Sequence, residues 1–167
     1  TDSSKAYLAV DIGASSGRVV AGVFDGSRLK LEEGHRFENG GTTFNDRMYW
    51  PLLDQWRNIV EGLRVARERY GDSVASVGVD TWGVDYGLLG SGDELLGNPY
   101  HYRDSRTNGV MEQAFDLVSR EEIFAETGLQ FMQFNTLFQL YAMKRQNPRL
   151  LDSAESFLMM PDLFHWL

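Results

Sequence analysis

Cysteine is missing from all 167 residues of this chain, which excludes disulfides and thiolate metal sites. Basic residues are in the minority, 16 Lys+Arg against 24 Asp+Glu, for a formal net charge of -8. No basic run stands out against that balance. The patch that a nucleic-acid surface needs to neutralise phosphates is therefore lacking, and no nucleic-acid partner is expected. An acidic protein can still hold a nucleotide through backbone N–H groups, a bound cation and one or two placed Arg or Lys. No apolar run approaches the ~18 residues of a membrane span. The first residues, Thr1-Asp2-Ser3-Ser4-Lys5, carry no apolar core of a signal peptide and read as a flexible terminus. Asn-x-Ser/Thr sequons are absent as well. These absences lead one to expect a soluble cytoplasmic protein with no membrane partner.

What is present fits an ordinary globular domain, at 43% hydrophobic and 24% charged residues. The length suits one domain, or half of a two-domain protein. Tyr7–Ile12, Arg18–Phe24 and Leu29–Phe37 read as three consecutive antiparallel strands, with Asp25-Gly26 as a hairpin turn. Residues 40–47 read as a loop. Pro51 opens a long helix whose Leu52, Trp56, Ile59, Val60, Leu63, Ala66 and Tyr70 follow helical spacing, with Gly71 ending it. Trp50 and Trp56 are expected on its packing face. Val74–Val79 returns after the helix as a parallel strand would. Tyr86–Leu89 and Phe157–Met160 are further strands, and residues 97–109 a polar, aromatic loop. Met111–Val118, Glu121–Glu126 and Leu137–Arg145 read as helices, the last with Leu137, Leu140, Tyr141 and Lys144 on its core face. A helix from Asp162 is unfinished at Leu167, which reads as the edge of a longer protein. The fold class expected is α/β with a mixed sheet.

Asp11-Ile12-Gly13-Ala14-Ser15-Ser16-Gly17-Arg18 is the richest local feature. An acidic residue ends a buried strand, and a Gly/Ser-rich turn leads into the next. Gly13 and Gly17 permit close backbone approach, Ser15 and Ser16 offer hydroxyls, and Arg18 can pair with a phosphate. Beside phosphates the useful work for Asp11 is to hold Mg²⁺, directly or through water. The spacing is neither a Walker A loop nor GxGxxG. A tight hairpin with a capping Asp is the alternative reading. The three histidines His35, His101 and His165 are dispersed, which argues against zinc.

An Asp-x-Gly-x-[Ser/Thr]-x-x-[Arg/Lys] turn between hairpin strands resembles the first phosphate motif of the actin-like ATPase superfamily. Within it the chain resembles the FGGY carbohydrate kinases, and among those the rhamnulokinase branch. The segments that carry the likeness are AVDIGASSGRVV, HRFENG, SVGVDTWGVDYGLL, YRDSRTNG, FNTLFQL and LMMPDLF, spread from residue 9 to 164.

That resemblance implies an actin-like (ribonuclease H-like) fold with helices on both faces of the sheet. It makes residues 1–167 an incomplete N-terminal domain, with the nucleotide-binding second domain outside the chain. ATP and Mg²⁺ are implied, with Gly13, Ala14, Ser15, Ser16, Gly17 and Arg18 at the phosphates and Asp11 at the metal. The loop Asp80–Asp85 is implied to face the sugar. There Gly83 lets backbone approach the ligand, Trp82 offers a flat face and Asp85 accepts hydroxyls; Tyr102 and Phe134 match substrate-packing positions. Trp82 and Phe134 read equally as core residues, and Arg103, Asp104 and Arg106 as ion pairs bracing their loop. No residue here is the general base, an Asp expected beyond residue 167. The implied reaction of the whole protein is phosphoryl transfer from ATP to L-rhamnulose, the isolated piece being inactive. Another ketose (L-fuculose, xylulose or ribulose) and a non-catalytic sugar-sensing domain are the alternatives.

Overall fold

The computed structural model describes residues 4–167; the flexible-terminus reading of Thr1–Ser3 lies outside the described residues. In chain order the elements are β1 (Lys5–Ile12), β2 (Ser16–Phe24), β3 (Leu29–Glu38), β4 (Thr42–Phe44), β5 (Arg47–Tyr49), α1 (Leu52–Tyr70), β6 (Val74–Thr81) and β7 (Tyr86–Leu89). They continue with α2 (Val110–Phe115), α3 (Arg120–Thr127), α4 (Thr136–Gln146), α5 (Pro148–Asp152), β8 (Ser156–Met159) and α6 (Met160–Trp166). The chain forms two units interleaved along the sequence. One comprises the chain up to Gly40 with Pro51–Gly83 and Met160–Leu167; the other comprises Gly41–Trp50 and Val84–Met159.

The first unit is built on a four-stranded mixed sheet, order β3-β2-β1-β6. In β1 the buried Ala6, Leu8, Val10 and Ile12 alternate with outward Lys5, Tyr7, Ala9 and Asp11, the period of two that a strand imposes. β1 and β2 are antiparallel, as are β2 and β3, and β6 runs parallel to β1. The hairpin between β2 and β3 turns at Asp25, whose carboxylate accepts the N–H groups of Ser27 and Arg28 at 2.8 Å each. Helix α1 covers the apolar side of this sheet with Leu52, Ile59 and Ala66. Each of its fully buried Leu or Ile side chains contributes about 1.5–3 kcal/mol. Gly62 allows the approach, since a Cβ there would lie 2.3 Å from Val19 Cγ2.

The buried stripe of α1 differs from the expected one. Gln55 and Gly62 lie in it, while Val60 is 46% exposed and Trp56 only partly covered. Trp50 does not belong to that face either; it is fully buried in the second unit.

In the second unit β7 pairs antiparallel with β8, and Tyr86 and Leu88 pack with Met143 of α4. A second cluster joins Val110 of α2 to Phe138 and Ala142 of α4. The buried face of α4 is Phe138, Gln139, Ala142 and Met143; of the expected residues Leu140 and Tyr141 pack against these clusters, whereas Leu137 is 46% exposed and Lys144 pairs with Asp152 at the surface. Residues 40–47 are not a plain loop. β4 and β5 form a short hairpin that turns on Asn45 and Asp46, both at positive φ (49° and 58°), a conformation these two side chains tolerate. Helix α5 is an element that the sequence reading did not mark.

Candidate functional site

The turn that joins β1 to β2 is short because Gly13 N–H donates to Ser16 C=O at 2.8 Å, directly after the Ile12–Gly17 register pair. Gly13 and Ser15 are exposed, Ala14 and Ser16 half-buried and Gly17 buried. The turn is also pinned from outside. Asn39, just past β3, donates its side-chain amide to Gly13 C=O at 2.7 Å and its backbone N–H to Ser15 C=O at 3.1 Å. Gln55 of α1, itself buried, donates to Asn39 Oδ1 at 2.7 Å. Neither Asn39 nor Gln55 was singled out from sequence, and only HRFENG, quoted above as a likeness, contains one of them.

Gly17 has a packing reason to be glycine. A Cβ on it would fall 2.1 Å from Cζ of the buried Phe37 ring. Gly13 is different, for its Cβ would meet only Ser16 C=O at 3.4 Å. Of the two, only Gly13 has the open space beside its backbone that a ligand's close approach would need.

Asp11 and Arg18 are register partners, and their side chains pair, with Arg18 Nε and Nη2 both 2.8 Å from Asp11 Oδ2. Both remain more than a third exposed. Register also aligns Arg36 with Arg18 and Asp80 with Asp11. Across β3-β2-β1-β6, one row of the outward face therefore reads Arg36, Arg18, Asp11, Asp80. Among the described residues no cluster of three or more His, Cys, Asp or Glu could cage a metal. Mg²⁺ does not need one, since it is commonly held by one or two carboxylates with waters and substrate phosphates. Asp11 with Asp80 beside it fits that donor set.

Trp82 and Gly83 follow β6 in the first unit. Trp82 N–H donates to Ile12 C=O at 3.2 Å, and its side chain is half-buried. Gly83 is exposed, and a Cβ there would meet nothing within 4 Å. The next residue, Val84, opens the second unit at φ 71°. A β-branched side chain in that region is strained, and such strain clusters at functional sites. Val84 C=O is held by Thr136 Oγ1 at 2.8 Å and Gln139 Nε2 at 3.3 Å.

Within the second unit, Asp85, Tyr102 and Phe134 come together. Four rings run in series: Trp50 stacks on His101 (4.0 Å), His101 on Tyr102 (4.6 Å), and Tyr102 meets Phe134 edge-on (5.6 Å). Asp85 is fully buried, and its carboxylate accepts from Trp50 Nε1, Tyr102 N–H and Gln139 Nε2. Burial, and secondarily the charge of Arg103, pushes the His101 imidazole down to about 4, so it is neutral at pH 7. Its Nδ1 accepts Arg103 N–H at 3.0 Å.

The loop of residues 102–109 is braced from inside. Asp104 accepts Met48 N–H at 2.6 Å and Arg106 N–H at 2.9 Å. The Arg106 guanidinium lies over the Tyr100 ring at 4.2 Å and donates to Gln139 C=O and Oε1 at 2.9 and 2.7 Å. Asp104 and Arg106 are buried, whereas Arg103 is exposed. Trp50, His101 and Gln139 are the members of this arrangement that sequence reasoning missed.

The sequence model of the FGGY family of carbohydrate kinases, N-terminal domain, matches residues 6–167. Rhamnulokinase of Oceanobacillus iheyensis is 46% identical over 160 residues, covering 96% of this chain and 34% of that protein. Rhamnulokinase of Bacteroides thetaiotaomicron is 43% identical over 161 residues, 96% of this chain and 33% of that protein. The chain thus spans about a third of the length of these curated relatives. Among solved structures, xylulose kinase from Rhodospirillum rubrum superposes with a TM-score of 0.80 at 15% identity, covering 96% of this chain and 33% of that one. Gluconate kinase from Lactobacillus acidophilus gives 0.78 at 15% identity, covering 93% and 31%. At that identity the structures establish the fold alone. It is the actin-like ATPase fold with a mixed sheet that the sequence led one to expect.

Proposed function

Because the chain belongs to the FGGY family of carbohydrate kinases, as their N-terminal domain, we propose that its protein phosphorylates L-rhamnulose. The reaction is ATP + L-rhamnulose giving L-rhamnulose 1-phosphate + ADP. The observation that carries the choice of ketose is the likeness to rhamnulokinases along almost the whole chain, phosphate turn and aromatic segments included.

In this reading the β1–β2 turn, Gly13 to Arg18, receives the ATP phosphates on backbone N–H groups, the Ser15 and Ser16 hydroxyls and the Arg18 guanidinium. Asn39 keeps the turn in shape by occupying the outward carbonyls of Gly13 and Ser15. Asp11, with Asp80 beside it, is where Mg²⁺ would be held; the ion would neutralise charge on the transferring phosphoryl group. Arg18, paired with Asp11 in this structure, is the cation nearest to hand for an incoming phosphate. On the sugar side, Tyr102 and Phe134 of the second unit supply aromatic surface for the carbons of the ketose. The open space at Gly83 leaves room for a ligand against backbone.

Residues 1–167 are, in this reading, the first domain of a two-domain kinase whose second domain brings the adenine site. In this reading the general base is an Asp outside these residues, and the isolated piece is inactive. The enzyme acts in the cytoplasm.

The test is ADP release by the full-length protein with MgATP and a panel of ketoses, alongside Asp11→Asn. L-rhamnulose turnover that the variant largely loses is expected. Turnover on L-fuculose, xylulose or ribulose instead would move the substrate, and none on any sugar would leave a sugar-sensing domain as the better reading.

A further inference from the structure

Asp85 was expected to accept sugar hydroxyls, yet its side chain is 0% exposed and both of its oxygens are taken up by the protein. Oδ2 accepts from Trp50 Nε1 at 2.6 Å and from Tyr102 N–H at 3.1 Å. Oδ1 accepts from Gln139 Nε2 at 2.8 Å, and that same nitrogen lies 2.9 Å from Phe134 C=O. One buried carboxylate is thus bonded to the backbone of Tyr102 and, through a single amide, to the backbone of Phe134.

The orientation of that amide is fixed. Arg106 can only donate, and it places Nη2 2.7 Å from Gln139 Oε1 and Nη1 2.9 Å from Gln139 C=O. The other end of the amide must therefore be its NH₂, turned to Asp85. Arg106 is also the positive charge nearest along this hydrogen-bonded path, so the buried carboxylate and guanidinium are linked through one neutral side chain. All of these groups belong to one unit, on elements far apart in sequence: β7 with its approach, the segment before α1, the 102–109 loop and α4.

We infer that Asp85 is a positioning residue: it holds the Tyr102 and Phe134 rings at their edge-on spacing, and so sets the affinity for the ketose, without touching the sugar. The inference rests on the ketose-kinase reading for what the two rings receive. An asparagine at 85 has one acceptor and one donor end, so at least one of the three donors that now meet an oxygen would face an NH₂ group. The backbone of Tyr102 or of Phe134 then loses its anchor.

The test uses the full-length kinase with L-rhamnulose and the variants Asp85→Asn, Tyr102→Ala/Phe134→Ala and the triple that combines them. Losing a charge-assisted buried hydrogen bond predicts a rise of about 10–100-fold in the ketose KM for Asp85→Asn. The KM for ATP stays within about twofold, because no phosphate contact is touched. If Asp85 acts through the two rings, the triple variant is no worse than Tyr102→Ala/Phe134→Ala by more than about twofold. Gln139→Met, which keeps length but removes the amide, raises the ketose KM in the same direction. Multiplicative effects in the triple variant would mean direct contact with sugar and overturn the inference. So would an Asp85→Asn enzyme that melts earlier but keeps the wild-type ketose KM. If Asp85→Asn does not fold, Trp50→Phe removes one donor only, and the same KM comparison applies. Should the wild type turn over no ketose, the parent reading fails separately. Amide exchange at Tyr102 then decides the positioning claim: Asp85→Asn speeds it markedly if the anchor is real, and unchanged exchange refutes it.

Discussion

Replacing Gly17 by alanine separates two explanations of the same glycine. The phosphate-turn pattern suggests that Gly17 is small so that a nucleotide can come close. The structure supplies another reason, since the new methyl group would lie 2.1, 2.5 and 2.7 Å from Cζ, Cε2 and Cε1 of Phe37. Carbon atoms pack at about 3.5–4.0 Å, so the ring must withdraw by more than 1 Å or the β2–β3 pairing must give. Phe37 is buried and stacks on His35 at 5.9 Å, so its retreat disturbs a second ring. Overpacking of this kind costs about 1–3 kcal/mol. For a domain of this size that is a fall in Tm of roughly 2–12 °C. The assay is thermal unfolding of wild type, Gly17→Ala, Phe37→Leu and the double variant. The shorter leucine makes room, so Gly17→Ala should cost at least about 1 kcal/mol less in the Phe37→Leu background than in the wild type. A Gly17→Ala protein with the wild-type Tm but a greatly raised KM for ATP would refute the packing argument and return the glycine to the ligand.

Gly83→Ala is the complementary case. With nothing within 4 Å of the added methyl group and no positive φ, the fold should keep its Tm within about 1–2 °C, so a rise in ketose KM would report ligand space. Asn39→Ala removes the bond to Gly13 C=O, and KM for ATP should rise by about 3–10-fold with KM for ketose unchanged. His101 carries a pH signature. Its folded-state pKa lies below the unfolded value, so between pH 6.5 and about 4 the unfolded chain binds the proton first. Stability is lost as pH falls through that window. The gap between wild type and His101→Phe should shrink or reverse by about 1 kcal/mol per pH unit there, read by urea unfolding.

The sheet of the first unit was readable because its signals are local. Alternating burial in β1, the Asp25-Gly26 turn and the return of Val74–Val79 after a long helix each lie within a few residues. The β4–β5 hairpin was missed because its strands are three residues each and its turn is Asn45-Asp46, with no glycine to announce it. The stripe of α1 was misplaced for a different reason. Apolar spacing alone put Val60 in the core, but Gln55 is buried because Asn39 accepts its amide, a partner outside the helix. The same holds for the aromatic segment. Asp85 reads as a sugar acceptor until Trp50, 35 residues before it, and Gln139, 54 after it, are found on its oxygens. Trp50 borders α1 in sequence yet packs in the other unit, and no periodicity reveals an interleaved chain. The β1–β2 turn was legible as a tight Gly/Ser-rich turn between strands; what fixes its shape, Asn39 and Gln55, was not.

The most direct test of the account is the fate of the γ-phosphoryl group. Full-length protein is incubated with γ-labelled ATP, Mg²⁺ and L-rhamnulose, and the label is followed into sugar phosphate and inorganic phosphate. The account predicts label on the ketose in equal amount to ADP, with little release to water. Label found only as inorganic phosphate, or ATP left intact whichever ketose is supplied, would contradict it.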